Sequence, residues 1–261
     1  MEPGAALVTG GAKRLGRAMA RALAEDGWDV AVSYLGSEAE AEAEAAEFRA
    51  LGRKAAALGA DLTREAETDA LLPAAAAALG RPLTLLVNNA SIFEYDDFDS
   101  ATRTSWDRAV ESNLRAAVRL TQLFAAQAPK GLRDAAGEPV AGAVVVNMID
   151  QRVLKPTPKF LSYGVAKAGL WAFTRMAAQG LAPDVRVLGI GPGPTLRGAR
   201  QSEAHFAGQR AAVPLGRGSD PSEVVAALRF ILAVPSLTGQ MIALDGGQHL
   251  AWMTPDVLGV E

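Results

Sequence analysis

The stretch Ala5-Ala-Leu-Val-Thr-Gly-Gly-Ala-Lys-Arg-Leu-Gly16 decides the fold of this chain. It begins as an apolar run of strand length and leads through glycines into an alanine-rich helical pattern at residues 14–26, which Gly27 closes. Glycines suit such a junction because the backbone must turn sharply and let an anion approach the helix N-terminus. A glycine-rich loop can also be a simple tight turn, but its place after the first strand of a βαβ unit favours a nucleotide pyrophosphate.

Outward from this junction, apolar runs of strand length alternate with helical patterns. The predicted strands span residues 5–9, 28–34, 83–87, 143–147, 185–190 and 240–244, and a further one ends near residues 58–61. The predicted helices span residues 14–26, 37–51, 64–79, about 105–127, 161–181 and 221–233. The uncharged runs at 83–87 and 143–147 are typical of parallel strands buried on both faces. The alternation predicts one α/β domain over residues 1–261, a Rossmann-type doubly wound parallel sheet with helices on both faces.

Two stretches interrupt this alternation. Residues 129–142 are rich in glycine, proline and charge and are interpreted as a surface excursion. Residues 191–218 begin with glycines and prolines and continue into a polar, helix-like pattern. Because a doubly wound fold places substrate lids after the carboxyl ends of strands, we expect a lid at about residues 194–216.

The composition excludes several classes of function. The net charge of −3 gives no basic field for nucleic acid, so a small-molecule substrate is favoured. Cysteine is absent, and His205 and His249 have no metal-ligand spacing, so no metal site is expected. We recognise no signal peptide and no apolar run long enough for a membrane span, and we therefore expect a cytoplasmic protein.

The end of the second predicted strand indicates which nicotinamide cofactor is used. It reads Ser33-Tyr-Leu-Gly-Ser37, without the carboxylate that usually binds the ribose hydroxyls of NAD. Lys13 and Arg14 stand in the glycine loop, and both cations, together with the hydroxyls of Ser33 and Ser37, would suit a 2′-phosphate. The sequence therefore predicts NADPH. The alternative is that the two cations are ordinary solvated surface charges.

Tyr163 and Lys167 are four residues apart and so lie on one face of a predicted helix. A reductase needs a proton donor beside the carbon that receives hydride. A neighbouring cation is expected to lower the pKa of the phenol from about 10 toward the working pH. Such a pair also occurs by chance, and its weight depends on the residues around it.

Those residues make the chain resemble the short-chain dehydrogenases/reductases over its whole length. In order and at the family's spacing stand the glycine loop, Asp61-Leu62, Asn88-Asn89-Ala90-Ser91, Asn113, Tyr163 with Lys167, and Pro192-Gly193. The resemblance implies that Asp61 and Leu62 flank the adenine, that Asn88 and Ala90 line the cofactor groove, and that Lys167 also holds the nicotinamide ribose. It implies a water relay from Asn113 to Lys167. The remaining implied cofactor contacts are Gly10, Leu15, Gly16, Pro192 and Gly193.

One position departs from the common pattern of that family. Asp150 stands where most members carry a serine, and no serine occurs between Ser112 and Ser162. An ionised carboxylate would repel the alkoxide formed from a simple ketone, whereas it would suit a substrate rich in N–H donors and support protonation of a ring nitrogen. The alternative is that Asp150 arose by drift in a non-catalytic relative.

Within the family, the chain resembles the pteridine reductases and the bacterial dihydromonapterin reductases. The resemblance rests on Lys13-Arg-Leu-Gly16, Ser91-Ile-Phe93, and Asp150 with Tyr163. It implies that Arg14 bridges cofactor phosphate and pterin, that Phe93 stacks on the pterin, that Ser91 is a polar contact, and that Asp150 and Tyr163 act in protonation. Gly36 stands where pteridine reductases often carry an arginine for the 2′-phosphate. Phe93 as an ordinary core residue is the alternative.

The function predicted from the sequence is NADPH-dependent reduction of a dihydropterin, with dihydrofolate as a further substrate. One alternative is a carbonyl reductase of the same fold that acts on a ketone, a sugar or an acyl thioester. Another is a non-catalytic NADPH-binding scaffold. The resemblance further implies a homo-oligomer, a tetramer built through the long helices and the C-terminal segment.

Overall fold

A computed structural model of the chain describes residues 1–198 and 200–253. The strands are β1 (Ala5–Val8), β2 (Asp29–Tyr34), β3 (Ala55–Gly59), β4 (Leu85–Asn88), β5 (Leu132–Arg133), β6 (Pro139–Val140), β7 (Ala143–Met148), β8 (Val185–Pro192) and β9 (Met241–Leu244). The helices are α1 (Arg14–Glu25), α2 (Glu38–Ala50), α3 (Glu65–Leu79), α4 (Arg103–Val110), α5 (Ala116–Gln127), α6 (Leu161–Leu181), α7 (Glu203–Ala211) and α8 (Pro221–Ala233). Position 199 of the predicted lid and positions 254–261 of the C-terminal segment lie outside the described residues.

Seven strands form one parallel sheet in the order β3-β2-β1-β4-β7-β8-β9. The order reverses between β1 and β4, and this pair is in register from Ala6 opposite Leu85 to Val8 opposite Val87. A reversal of this kind leaves a crevice at the carboxyl ends of the strands, where doubly wound folds bind their ligands. The doubly wound α/β fold predicted from the sequence is confirmed.

The core lies on both faces of this sheet, as parallel strands require. On one face, α1 and α8 pack on the sheet through residues such as Met19, Leu23 and Ile231. On the other face, α3, α5 and α6 pack through residues such as Leu79, Phe124 and Ala178. All six residues of β7 are buried, so its uncharged sequence has a direct structural reason. The sheet is thus a rigid platform for the loops at its carboxyl edge.

The long helix predicted at residues 105–127 is interrupted in a way that periodicity did not show. It begins two residues earlier, because Thr102 accepts a hydrogen bond from the Ser105 N–H and the Ser105 hydroxyl accepts one from the Thr102 N–H. Between α4 and α5 the backbone makes a π-helical turn at Glu111–Arg115. Such turns are frequent at functional sites, and this one carries Asn113.

The two irregular stretches have different structures. The excursion at residues 129–142 contains an antiparallel hairpin of β5 and β6. The predicted lid contains α7, a helix with no buried residue. No helix in residues 1–198 and 200–253 combines the length and the apolar character that a membrane crossing demands.

Candidate active site

A cleft of about 1310 Å³ opens at the carboxyl edge of the sheet, beside β1, β4 and β7. It is larger than the roughly 300–1,000 Å³ usual for a small-molecule pocket, so it has room for a dinucleotide together with a second ligand. Nearly all of the predicted site residues line it: Gly10, Lys13, Arg14, Leu15, Gly16, Ser33, Asp61, Leu62, Ala90, Ser91, Phe93, Asp150, Tyr163, Lys167, Pro192 and Gly193. The lid segment also contributes to its wall, through Leu196 and His205 among others.

The glycine loop is fixed to β4 by hydrogen bonds. The Thr9 hydroxyl oxygen accepts from the N–H groups of Asn89 and Ala90 at 2.9 and 3.0 Å. The Asn89 amide donates to the carbonyl oxygens of Thr9 and Gly10 at 2.8 and 3.2 Å. Gly10 has a φ of +61°, a conformation that favours glycine. A Cβ atom on Gly16 would lie 2.3 Å from the Gly10 carbonyl oxygen. The close approach of the loop to the helix N-terminus therefore fits a pyrophosphate.

The side chains predicted to hold a 2′-phosphate have protein partners in this structure. Lys13 Nζ lies 2.7 Å from Glu40 Oε1 on α2, and this contact holds the pKa of Glu40 below its usual value. The Arg14 guanidinium donates to the Leu196 and Arg197 carbonyls at 3.1 and 2.9 Å. A phosphate bound here would therefore compete with Glu40 and with the lid backbone for these two cations.

Among the predicted hydroxyl donors, Ser33 is buried and its Oγ accepts a hydrogen bond from the Gly10 N–H at 3.3 Å. Ser37 stands before the first residue of α2, and in this structure its side chain is not part of the cleft wall. Of the two serines, Ser33 is therefore the better placed for cofactor contact.

The adenine-side residues follow β3. Asp61 Oδ1 accepts hydrogen bonds from the Thr63 N–H at 2.9 Å and from the Thr63 hydroxyl at 2.7 Å. The pKa of Asp61 is lowered by these bonds, so the residue is ionised at neutral pH. Leu62 lies beside it in the wall. The geometry places a carboxylate and an apolar side chain together at this end of the cleft.

The expectation that Asn88 lines the cofactor groove is wrong for this structure. Asn88 is buried behind the cleft, and its amide donates to Asn147 Oδ1 at 2.8 Å. Asn147 in turn donates to the Thr174 hydroxyl at 2.9 Å. The alternation of side chains along a strand turns Asn88 into the protein and leaves Asn89 at the cleft. Asn88 therefore joins β4, β7 and α6 and supports the site from behind.

Asp150 and Tyr163 form the centre of the cleft. The Tyr163 hydroxyl donates to Asp150 Oδ2 at 2.8 Å. Asp150 Oδ1 accepts from the Arg152 N–H at 2.8 Å, which fixes the carboxylate just after β7. Lys167 lies one helical turn below Tyr163 and is buried, and its Nζ donates to the Met148 carbonyl at 2.7 Å. The three ionisable groups are therefore held in a common, largely desolvated environment.

Asp96 positions the helix that carries Tyr163 and Lys167. Its Oδ1 accepts from the Ser162 N–H at 3.1 Å, and its carbonyl oxygen accepts from the Phe160 N–H at 2.7 Å. A carboxylate at a helix N-terminus satisfies free N–H groups and complements the helix dipole. The sequence contains no signal for this role of Asp96, because the residue lies far from Tyr163 along the chain.

The pKa values of this group differ from the sequence-based expectation. We expected Lys167 to lower the pKa of Tyr163, but burial and the adjacent Asp150 carboxylate raise that pKa well above its usual value. Burial also raises the pKa of Asp150 and lowers the pKa of Lys167 to about 8. The phenol therefore holds its proton at neutral pH, and Lys167 is the group that can release one near that pH.

Asn113 is linked to the substrate end of the cleft through Ile92. Its amide donates to the Ile92 carbonyl at 2.9 Å, and its Oδ1 accepts from the Ile92 N–H at 2.9 Å. Asn113 and Lys167 also line a second cavity of about 10 Å³. This volume is close to the smallest that holds one water molecule. The predicted relay from Asn113 to Lys167 thus has space for a bridging water.

Aromatic rings form the wall beside Tyr163. The Phe93 ring stacks on the Phe160 ring with a centroid distance of 4.3 Å and an interplanar angle of 4°. It also meets Tyr163 edge-on, with a centroid distance of 4.7 Å. Phe93 is 43% exposed, which excludes the alternative that it is an ordinary core residue. A flat ring could stack here next to the phenol.

Two residues of this wall were missed from the sequence. Phe160 has a φ of +60° and directly precedes α6, and its ring stacks on Phe93, which Tyr163 meets edge-on. The Arg152 guanidinium carbon lies 5.1 Å from the centroid of the Phe160 ring. The spacing of Phe160 from Tyr163 was a usable signal, whereas nothing in the sequence placed Arg152.

No group of three or more histidine, aspartate and glutamate side chains within residues 1–198 and 200–253 is arranged to hold a metal ion.

Comparison with known proteins identifies relatives of this arrangement. The model of the short chain dehydrogenase family matches residues 4–206. Two solved structures, each of a FolM alternative dihydrofolate reductase 1 with NADP, align with nearly the whole chain. The Brucella suis protein is 41% identical, with a TM-score of 0.89 and coverage of 97% of both chains. The Brucella canis protein is 38% identical, with a TM-score of 0.88 and coverage of 98% of both chains. The 3-oxoacyl-(acyl-carrier-protein) reductase FabG of Staphylococcus aureus is 28% identical over 250 residues, which are 94% of this chain and 98% of that protein.

Proposed function

The chain belongs to the short chain dehydrogenase family, and from this premise we propose that it uses NADPH to reduce a dihydropterin to the tetrahydro form. Membership makes it an oxidoreductase. The two Brucella proteins, which are named dihydrofolate reductases and are bound to NADP, support both the cofactor and the class of substrate. Dihydrofolate carries the same ring and is included as a substrate.

The observation that carries the proposal is the hydrogen bond of 2.8 Å from Tyr163 to Asp150 beside the exposed ring of Phe93. Reduction of a ring C=N bond requires hydride at carbon and a proton at nitrogen. A phenol that keeps its proton at neutral pH can supply that proton. The Phe93 ring offers a stacking surface that orients a flat heteroaromatic substrate.

Residues of the glycine loop and of the adjacent strands would hold the cofactor. These are Gly10, Lys13, Arg14, Leu15, Gly16, Ser33, Asp61, Leu62, Ala90, Pro192 and Gly193, all of which line the cleft, with Ser37 next to them at the start of α2. The crowding around Gly16 supports their assignment, since a Cβ there would fill the space of the loop. When bound, NADPH supplies the hydride.

The protein's own residues then manage the proton. Tyr163 donates its hydroxyl proton to the ring nitrogen, and Asp150, which accepts the hydrogen bond of the phenol, holds it in place and takes part in protonation with it. Lys167 would replace the proton lost by the phenol through a water molecule in the small cavity that it lines with Asn113. Lys167 would also hold the nicotinamide ribose, while Arg14 and Ser91 would contact the pterin.

Activity is expected to depend on the protonation of Lys167. Because burial lowers its pKa to about 8, the amine is charged below that pH and neutral above it. If the charged form supplies the proton, kcat/KM for reduction is constant below pH 8 and falls as pH rises through about 8. A pH profile measures this, with NADPH binding followed over the same range as the control. A plateau that extends to the ordinary lysine value near 10.4 would contradict the proposed role.

A carbonyl reductase is the second candidate, and it is favoured by the similarity to the 3-oxoacyl-(acyl-carrier-protein) reductase of Staphylococcus aureus. Its weakness is the half-buried carboxylate of Asp150, which would oppose a developing alkoxide. A non-catalytic NADPH-binding scaffold is less well supported, because the Tyr163 hydroxyl donates to Asp150 and the charge of Lys167 lies buried close to both.

A substrate panel separates these functions. NADPH oxidation is measured with dihydromonapterin, dihydrobiopterin, dihydrofolate and a β-ketoacyl thioester under identical conditions. The proposal predicts turnover with the dihydropterins and little with the thioester. Turnover with the thioester alone would establish the carbonyl reductase. An absence of turnover with every compound would favour the scaffold.

The assembly and the location of the protein stay predictions. A homo-oligomer, a tetramer, is expected from helix contacts of the family's type, and a cytoplasmic location is expected from the sequence. A measurement of the protein's mass in solution tests the predicted tetramer.

A further inference from the structure

The cleft is strongly cationic although the chain as a whole is not. Among the described residues that line it, six carry a positive charge and two a negative one, an excess of four positive charges in a chain with a net charge of −3. The cations are Lys13, Arg14, Arg152, Lys159, Lys167 and Arg200, and the anions are Asp61 and Asp150. A cleft lined by one sign of charge concentrates ligands of the opposite sign.

The proposed cofactor and the proton transfer account for half of these cations. Lys13 and Arg14 lie in the glycine loop, and Lys167 lies behind Tyr163. The other three, Arg152, Lys159 and Arg200, belong to the opposite end of the cleft. We call them the rim cations.

The rim cations line the part of the cleft that contains the stacked rings of Phe93 and Phe160. The Arg152 guanidinium carbon lies 5.9 Å from the Phe93 centroid and 5.1 Å from the Phe160 centroid. Arg200 donates to the Phe93 carbonyl at 2.5 Å, and Lys159 directly precedes Phe160. Two separate segments, one after β7 and one in the lid, therefore bring positive charge to the same aromatic wall.

No direct ion pair with a carboxylate compensates these charges within the described part of the chain, although the charge of Arg152 interacts with the nearby Asp150 carboxylate. Neither Arg152, nor Lys159, nor Arg200 forms a salt bridge there, although exposed arginines elsewhere do, as in Arg103 with Asp107 at 2.6 Å and Arg229 with Asp26 at 2.7 Å. The Arg152 guanidinium donates to the Thr157 hydroxyl at 2.9 Å. Guanidinium groups without a direct ion pair are well suited to bind a carboxylate or a phosphate.

We propose that the preferred dihydropterin carries an anionic group, a carboxylate or a phosphate, on its side chain, and that the rim cations bind this group. The inference rests on the proposed function and specifies its substrate class. A ring stacked at Phe93 would lie among charges that a neutral polyol side chain leaves without a partner. A side chain ending in phosphate or in glutamyl carboxylates would give them one.

Two matched pairs of substrates test the proposal. One pair is dihydroneopterin and its phosphate ester, and the other is dihydrofolate and its dimethyl ester. We expect the anionic member to be preferred by about tenfold in kcat/KM, mainly through KM, because exposed ion pairs contribute up to about fivefold each. The pair that shows the preference identifies phosphate or carboxylate as the source of the charge.

Variants test whether the rim cations cause the preference for the anionic substrate. The double variant Lys159→Gln with Arg200→Gln is expected to reduce the preference to less than about twofold, because the anionic member loses its ion pairs. Lys155→Gln is the matched control, since Lys155 lies on the same segment but not in the cleft wall. Raising the ionic strength from about 0.01 M to about 0.15 M should also shrink the preference of the unmodified protein.

The outcomes distinguish failure of this inference from failure of the proposed function. Equal turnover of neutral and anionic members would overturn the inference and leave dihydropterin reduction standing. An equal loss for both members in the double variant would show that Arg200 only supports Phe93, and it would also overturn the inference. Lack of turnover with all four compounds would remove the proposed function and the inference together.

Discussion

Tyr163→Phe is expected to lower kcat for dihydropterin reduction by about 10³-fold, within the range that a positioned general acid contributes. The substitution keeps the aromatic ring and therefore the edge contact with Phe93 at 4.7 Å. It removes only the hydroxyl that donates to Asp150 at 2.8 Å. Steady-state NADPH oxidation with a saturating dihydropterin measures the effect.

Tyr95→Phe is the matched control for this experiment. The Tyr95 hydroxyl donates to Asp97 at 2.7 Å, away from Asp150, and the substitution keeps the ring of Tyr95, which meets Phe160 edge-on in the cleft wall. The same chemical change there should leave kcat within about twofold of the unmodified protein. Retention of about a tenth or more of the activity in Tyr163→Phe would contradict the proposal. It would mean that a group other than the phenol donates the proton.

Asp150→Ser is expected to lower kcat/KM for dihydropterins by about 10²-fold or more. The substitution removes the carboxylate that holds the Tyr163 hydroxyl and introduces the residue that most members of the family carry. A carbonyl reductase would respond in the opposite direction, since a serine hydroxyl suits a ketone oxygen better than a carboxylate does. Parallel assays with a dihydropterin and with a β-ketoacyl thioester measure both responses.

Stability measurements separate chemistry from folding in this variant. Burial raises the pKa of Asp150, so the fold disfavours its ionised form above the unfolded-state pKa. Replacement by a neutral residue should therefore preserve or raise the Tm at neutral pH. Asp150→Asn, which keeps the size of the side chain, should lose activity in the same way. A fall in Tm that parallels the loss of activity would point to a structural role only.

The fold was predictable because its signals are local. The uncharged run that became β7 and the glycine loop before α1 each fix a strand, a helix or a turn within a few residues. Chain order and the right-handed rule for crossovers then leave few topologies. The π-helical turn at Glu111–Arg115 was not predictable, because one extra residue in a helical turn hardly changes the hydrophobic period.

The reactive residues were also predictable, since Tyr163 and Lys167 are close in sequence and Asp150 stands out in an apolar strand end. The environment of these reactive residues was not predictable from the sequence. The raised pKa of Tyr163 depends on burial and on a contact across 13 positions of the chain. Asp96, Arg152 and Arg200 reach the site from separate loops, and sequence spacing carries no record of that convergence. Asn88 was misplaced because its side-chain direction depends on the register of β4.

Transfer of deuterium from deuterated NADPH tests the central claim most directly. The protein is incubated with dihydropterin, a β-ketoacyl thioester and NADPH deuterated at the transferred position, and the products are examined by mass spectrometry. The proposal predicts a tetrahydropterin that carries one deuterium on a ring carbon, with the thioester unlabelled. Unlabelled pterin together with a deuterated hydroxyacyl thioester would contradict it and identify a carbonyl reductase.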